Sequence, residues 1–416
     1  MLRCRARCKN ARYRKAASEV KDDFRILALM GSRVLYGQER ANILVLETLK
    51  AAGCEVLAVV EDHPNFPAMP DELARRQIDF VRAPFGGRRA EGYLLHFLFK
   101  NPILFLAGNW KIYRLIREFS PSHIHIPNPF FFLNCIFALK LSRVPVVYRI
   151  GDQPATHNLF WRWLWRRIVA RVNHFVAISR FIASEVEALG VPRERITVIY
   201  NAPPSRKKGP EPGHLPDNTQ NFLFIGQTTP HKGIDRLVEA FRRLAPNYPQ
   251  ARLTVIGRIS EWQGDDWARA LRDRTLADSA LADRVTFVGE TEDIFAHLAS
   301  AAVLVVPSVW EEPLGNVAVE AKAAARPSVV FPRGGLPELI EHGVDGYICR
   351  DVSVKALVEG LRYYLDNSDR TLAHGRAALD SMERLGINRF AKDWLKIYEH
   401  TLPNRDGFPE PCGIGQ

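Results

Sequence analysis

Six cysteines among 416 residues, none of them in a CxxC pair, leave neither a disulfide framework nor a zinc site to organise this chain. A reducing cytoplasm is the compartment that fits. No run reaches the roughly 18 apolar residues of a membrane-spanning helix. The stretch from "LLHFLF" to "PILFLAG" is interrupted by Lys100 and Pro102, and "FFFLNCIFAL" is short. No transmembrane segment is expected. The opening "MLRCRARCKNARYRK" lacks both the apolar core of a secretory signal and any acidic residue, so it reads as a basic tail.

Charge is present but uneven. Through Ser205 there are 31 Lys and Arg against 17 Asp and Glu, whereas the remainder has 26 against 29, within a formal net charge of +11. A basic first half suits nucleic acid, an anionic membrane surface or a phosphorylated substrate, and sign alone does not choose. "FWRWLWRRIVARV" sets Trp beside Arg as the headgroup layer favours; it fits equally an amphipathic helix with a solvated arginine edge.

The chain divides at "NAPPSRKKGPEPGHLPDNTQN", which is rich in Pro and charge and has no apolar period. Before it, "FRILALM", "EVLAVV", "SHIHIP", "VPVVYRI", "HFVAIS" and "ITVIYN" alternate with helical stretches. After it, "NFLFIG", "ARLTVIG", "RVTFVG" and "VLVVPS" do the same. Such alternation implies parallel α/β sheets with helices on both faces, twice in succession. Ligands of these sheets bind at the carboxyl ends of the strands, so chemistry is expected there and between the two domains.

Each candidate motif sits at such an end. "FLFIGQTTPHKG" runs a strand into Gly226 and reaches Lys232 and Gly233 just before a helix. Glycine permits close backbone approach, and the lysine is a mobile charge suited to phosphate. In isolation the segment is also an ordinary strand-to-helix turn. "ALMGSRVLYGQERANILVLETL" places Gly31 and Gly37 between strand and helix, though not as GxGxxG. In "VLVVPSVWEEPLGNVAVEAKAAA", Glu312 falls in the loop after a strand and Glu320 about one turn into an Ala-rich helix. Amides near Leu314, Gly315 and Asn316 would meet phosphate oxygens at the positive helix end, while the two carboxylates accept hydrogen bonds from sugar hydroxyls.

That stretch, followed by "FPRGGLPELIEHGVDGYICR", resembles the nucleotide-sugar site of the retaining glycosyltransferases of family 4. Their fold is GT-B: two Rossmann-like, doubly wound parallel-sheet domains facing across a cleft. The Glu-x7-Glu motif maps onto Glu312 and Glu320, and the Gly-x5-Lys-Gly segment onto Gly226, Lys232 and Gly233. The resemblance runs from about Phe24 to His400, and is more specific in the second half. It implies a basic tail at 1–22, an acceptor domain at 23–203, a linker at 204–220 and a donor domain at 221–385. A helix at 386–402 would cross back to the first domain, and 403–416 would be a tail.

The resemblance further implies that Lys232 neutralises the departing diphosphate, Glu320 binds the ribose and Glu312 contacts the donor sugar. Gly31, Gly37 and Gly226 would line the donor. No aspartates stand in DxD spacing, so no metal or other cofactor is expected. Two departures appear. Gln227 stands where many relatives have an arginine, so that this phosphate charge is either absent or supplied by another residue, with Arg258 the candidate. After "VVYRI", Gly151 and Asp152 stand where relatives have histidine before aspartate; His157, His123 and His125 are substitutes, though strand-end histidines are commonly structural.

The implied reaction moves a sugar from a UDP- or GDP-linked donor to a lipid-linked or saccharide acceptor in cell-surface polysaccharide or glycoconjugate biosynthesis. An anionic membrane surface, at the inner face of the plasma membrane, is a further expected partner, and nucleic acid is not. Two other classes stay open: a nucleotide-sugar 2-epimerase of the same fold, and a non-catalytic nucleic-acid binder using "WRWLWRR".

Overall fold

The structure is a computed structural model that describes residues 24–33, 35–62, 67–84, 102–203, 220–257, 265–291 and 293–402. The tails expected at 1–22 and 403–416, nearly all of the linker and Arg258 lie outside the described residues. Two compact units are present. The first takes in the chain to Ile178, Ala183–Ile199 and the chain from Ile387 on; the second comprises Ser179–Ile182 and Tyr200–Gly386.

In the first unit seven parallel strands stand in the order β3-β2-β1-β4-β5-β6-β7. They are β1 (Arg25–Leu29), β2 (Glu55–Glu61), β3 (Asp79–Ala83), β4 (His123–Ile126), β5 (Val146–Ile150), β6 (His174–Ala177) and β7 (Ile196–Val198). Every residue of β4, β5 and β6 is buried, as a strand covered by helices on both faces must be. The helix Ile387–His400 buries Phe390, Ala391, Trp394, Leu395 and Tyr398, an apolar stripe of helical period, beside the helix Gly37–Ala51. β3, with Asp79 and Arg82 exposed and no run of buried residues, was not found in the sequence reading.

The second unit repeats the plan with six parallel strands in the order β10-β9-β8-β11-β12-β13. These are β8 (Asn221–Ile225), β9 (Arg252–Ile256), β10 (Val285–Gly289), β11 (Val303–Val306), β12 (Ser328–Val330) and β13 (Gly346–Ile348). The helix Ile234–Leu244 buries Ile234, Leu237, Val238, Phe241 and Leu244 against Phe222, Leu253 and Val303.

Strand order reverses between β1 and β4 in one sheet and between β8 and β11 in the other. At such a reversal successive crossovers leave in opposite directions, which opens a crevice beyond the strand ends. No helix among the described residues is long and apolar enough to cross a membrane.

Candidate functional site

In the second unit the loops after β8 and β11 meet at the reversal, and missing side chains let them. Gly257 has φ +153°, and a Cβ there would collide with the Gly226 carbonyl, whose own amide donates to the Ile256 carbonyl at 3.0 Å. Gly233 has φ +69°, and a Cβ there would strike the Pro307 carbonyl oxygen. Its left-handed backbone ends the turn Pro230–Lys232 and starts the helix Ile234–Leu244. The Val309 amide can then donate to the His231 carbonyl at 2.8 Å. The glycine and lysine of the motif thus cooperate: Gly233 admits the second loop, and Lys232 is brought onto it.

There the Lys232 ammonium pairs with Glu312 Oε1, and Ser308 Oγ donates to the same oxygen at 2.7 Å. The Lys232 Nζ also stands 5.1 Å from the centre of the Trp310 ring. Glu312 is buried at 6% exposure. A carboxylate in that position is costly unless charged and polar partners replace water, and Lys232 and Ser308 do so. The lysine side chain keeps 27% exposure, so its ammonium retains an open side. Gln227, next to Gly226, is exposed.

The loop backbone is pinned from the turn after β12. The Gly335 amide donates to the Glu312 carbonyl at 2.7 Å, and Glu311 accepts from Arg333 Nη1 and the Gly334 amide, both at 2.6 Å. Gly315, with φ +93°, precedes the helix Asn316–Ala323; a Cβ on it would collide with Leu336. The first-turn amides of that helix have no intrahelical acceptor and carry its positive dipole end. Asn316 Oδ1 accepts from Asn201 Nδ2 at 2.7 Å. Leu314 is buried to 1% exposure. Glu320 is half-buried, about one turn into the helix.

On the inner side of this helix, Lys322 pairs with Asp345 and donates to Ser381 Oγ at 3.0 Å, with the two charged side chains 1% and 2% exposed. Burial lowers the lysine's proton affinity, and Asp345 opposes the shift. Sequence reasoning missed this residue. Its spacing of four from Ala318, on the buried face of the helix, was the available signal.

The strand ends of the first unit are built otherwise. Gly31 is buried just beyond β1, while Gly37 is already the first residue of its helix rather than part of the loop. Glu39 holds that loop, accepting from Ser32 Oγ at 2.9 Å and from the Tyr36 amide at 3.1 Å. A small concavity borders Ser32, Gln38, Glu39, Asn42 and Asn128. Arg149 is buried and donates to Asn42 Oδ1 at 2.9 Å. Burial pulls its guanidinium down to about 10, against the opposing charges of Asp152 and Glu39. Asp152 itself is exposed, past the buried Gly151.

The histidines separate. His123 and His125 are fully buried on β4; His125 Nδ1 shares a hydrogen bond with the Tyr398 hydroxyl at 2.8 Å, and its ring lies 5.5 Å from that of Trp394. Burial lowers them to about 4 and about 3, so both are neutral packing groups. His157 is exposed, 6.4 Å from the Trp161 ring.

Residues 205–380 match the family model "Glycosyl transferases group 1", and residues 36–203 match "Glycosyltransferase Family 4". The chain is 30% identical over 332 residues to glycogen synthase of Mycobacterium tuberculosis, covering 70% of this chain and 75% of that one. It is 31% identical over 182 residues to spore coat protein SA of Bacillus subtilis, 42% of this chain and 48% of that protein. The first curated relatives are thus matched over about half their length. Among solved structures, Anabaena HepE in complex with UDP superposes with a TM-score of 0.74 at 20% identity, over 91% of this chain and all of the other. The fold is GT-B.

Proposed function

The chain belongs to glycosyltransferase family 4, and from that membership we propose that it transfers a hexosyl group from a nucleotide-diphosphate sugar, with retention at the anomeric carbon. The observation that carries this reading is Lys232, its side chain 27% exposed and its ammonium held by Glu312 where the second sheet reverses. Lys232 and the first-turn amides of Asn316–Ala323 would face the diphosphate as its charge grows. Fixed positive groups aimed at developing charge lower the barrier without rearranging.

In the proposed step the bond from the anomeric carbon to the diphosphate breaks and its electron pair leaves with the phosphate. The acceptor oxygen forms its bond on the same face, and its proton passes to a diphosphate oxygen. Glu312, already bonded to Ser308 and Lys232, would present its remaining acceptor capacity to the sugar hydroxyls. Glu320 would take the ribose, and Asp152 would stand at the acceptor side. Because the positive charge comes from protein groups, transfer is proposed to need no metal.

The donor nucleotide is proposed to be UDP or GDP; HepE, which holds UDP, supports the first. A lipid-linked or saccharide acceptor in polysaccharide or glycoconjugate synthesis is proposed, and the relationship to a glycogen synthase supports a saccharide. Free buried thiols at Cys54, Cys135 and Cys349 support a reducing, cytoplasmic setting.

The test is calorimetric binding and slow hydrolysis across UDP, GDP, ADP and dTDP sugars with EDTA present. One donor should bind and turn over. Lys232→Ala should cut turnover by about 10²–10³-fold, and Glu320→Ala should weaken even the free nucleotide by about tenfold. Variants that behave like the parent would remove the donor-site assignment, and loss of activity in EDTA would remove metal independence.

A further inference from the structure

Glu338 lies on the short helix Leu336–Leu339 of the second unit, with its side chain only 11% exposed. Its carboxylate collects donors from two distant stretches of the same unit, Ser179–Ile182 and the chain from Tyr200 on. Oε1 accepts from the Phe181 amide at 2.7 Å, and Oε2 accepts from the Arg180 amide at 2.7 Å and the Tyr200 hydroxyl at 2.9 Å. Burial, and then the bond to Glu338, push the Tyr200 hydroxyl up to about 12, so it stays a donor. Arg180 and Phe181 open the helix Arg180–Glu187, whose first amides have no intrahelical acceptor. The next amide, that of Ile182, donates to Ser179 Oγ at 3.1 Å. Dipole and amides together favour a carboxylate at a helix start, and without such donors this one would be costly to bury.

The residues next to these stretches reach the loop after β11. The buried Ser179 hydroxyl donates to the Pro313 carbonyl at 2.6 Å, and Asn201 Nδ2 donates to Asn316 Oδ1 at 2.7 Å. The circuit closes through Gly335: its amide donates to the Glu312 carbonyl, and its carbonyl accepts from the Glu338 amide at 3.1 Å. A Cβ on Gly335 would meet the Pro313 carbonyl oxygen at 2.6 Å and the Ser179 Cβ at 3.0 Å, so the two stretches close on it without room for a side chain. We infer that Glu338 is a positioning residue: by holding Arg180, Phe181 and Tyr200, it sets the loop 312–316, which carries Glu312 and amides proposed to face the diphosphate. Capping of one helix explains the two amide bonds. It does not explain the Tyr200 hydroxyl on the same carboxylate, nor the bonds that Ser179 and Asn201 make to the loop.

The inference deepens the proposed donor site and rests on it only for the purpose the positioning serves, so its first test needs no donor. Hydrogen exchange of the full-length chain, read by mass spectrometry well below the melt, follows the amides of 179–187 and of 312–318 separately. Glu338→Ala should speed exchange in both stretches by at least about tenfold. Tyr200→Phe keeps the helix cap and should speed 312–318 alone, by about two- to threefold. That milder variant, with Glu338→Gln, carries the test if Glu338→Ala does not fold. Faster exchange confined to 179–187 would make Glu338 a helix cap and overturn the inference, as would no change in either stretch. With the donor that the panel identifies, Glu338→Ala should weaken binding and lower turnover at saturation by about tenfold each. Glu338→Gln, which keeps one acceptor oxygen, should recover part of both. A parent that binds no donor, with the exchange result intact, would remove the donor reading and leave Glu338 setting the loop. Unchanged affinity and turnover in Glu338→Ala would overturn its part in positioning.

Discussion

Two sheets of the same topology are finished differently at their carboxyl ends. In the second unit the reversal brings a charged pair, Lys232 and Glu312, to a crevice, and Gly233, Gly257 and Gly334 let backbone touch backbone around it. In the first unit the corresponding β4 carries His123 and His125, sealed under Tyr398 and Trp394, and β5 carries the buried Arg149. One set of polar groups keeps an open side; the other is spent on packing. Doubly wound topology therefore supplies a place for chemistry, and the side chains decide whether the place is used.

The largest expected effect lies behind the loop after β11. If the second unit depends on a fixed helix Asn316–Ala323, Lys322→Met leaves Asp345 charged and buried, and should cost on the order of 3–5 kcal/mol. Adding Asp345→Asn should recover much of that loss while keeping an acceptor for the Glu341 amide. Differential scanning calorimetry of the three proteins checks it, and an unchanged single variant would show that the buried pair is not what fixes the helix.

Next in size is the glycine that brings the loops together. Gly233→Ala must strain a left-handed backbone and displace Pro307, so about 1–3 kcal/mol of stability and most donor binding should be lost. Gly190→Ala makes the control in the first unit: its φ is +85°, yet nothing lies within 4 Å of the new Cβ, so strain alone is felt and donor binding stays.

The effect that vanishes at neutral pH concerns acid. Burial holds His125 at about 3, and His123 and His174 at about 4, below the usual imidazole value near 6.5. The unfolded chain therefore binds more protons between those values. The histidines' contribution is complete above about pH 6.5 and is lost as pH falls toward the folded values, with a slope of up to ~1.4 kcal/mol per pH unit for each. Denaturant melts of His125→Gln should show a flatter acid limb than the parent. An unchanged limb would mean that His125 is not sealed, and the contrast between the two units would weaken.

Much of the architecture was legible locally. The strands "FLFI" and "VLVV", the glycine turns after them and the position of Glu320 in a helix follow from apolar period and turn chemistry, which act over a few residues. Gly37 was placed in the loop, whereas it is the first residue of the helix, a position where glycine is tolerated. Lys322 was not singled out, since nothing local marks a charge on an Ala-rich helix as a buried partner.

What the sequence by itself determined is the alternation of elements, the basic first half and the presence of glycine, lysine and glutamate at the strand ends. Tertiary structure alone decided which of them meet. Lys232 and Glu312 are 80 residues apart and pair because a crossover sets β11 beside β8. His125 and Tyr398 are 273 apart, and a returning helix turns a candidate catalytic group into a core one. Local pattern reports what each residue prefers, whereas burial and pairing depend on neighbours that only the closed sheet supplies.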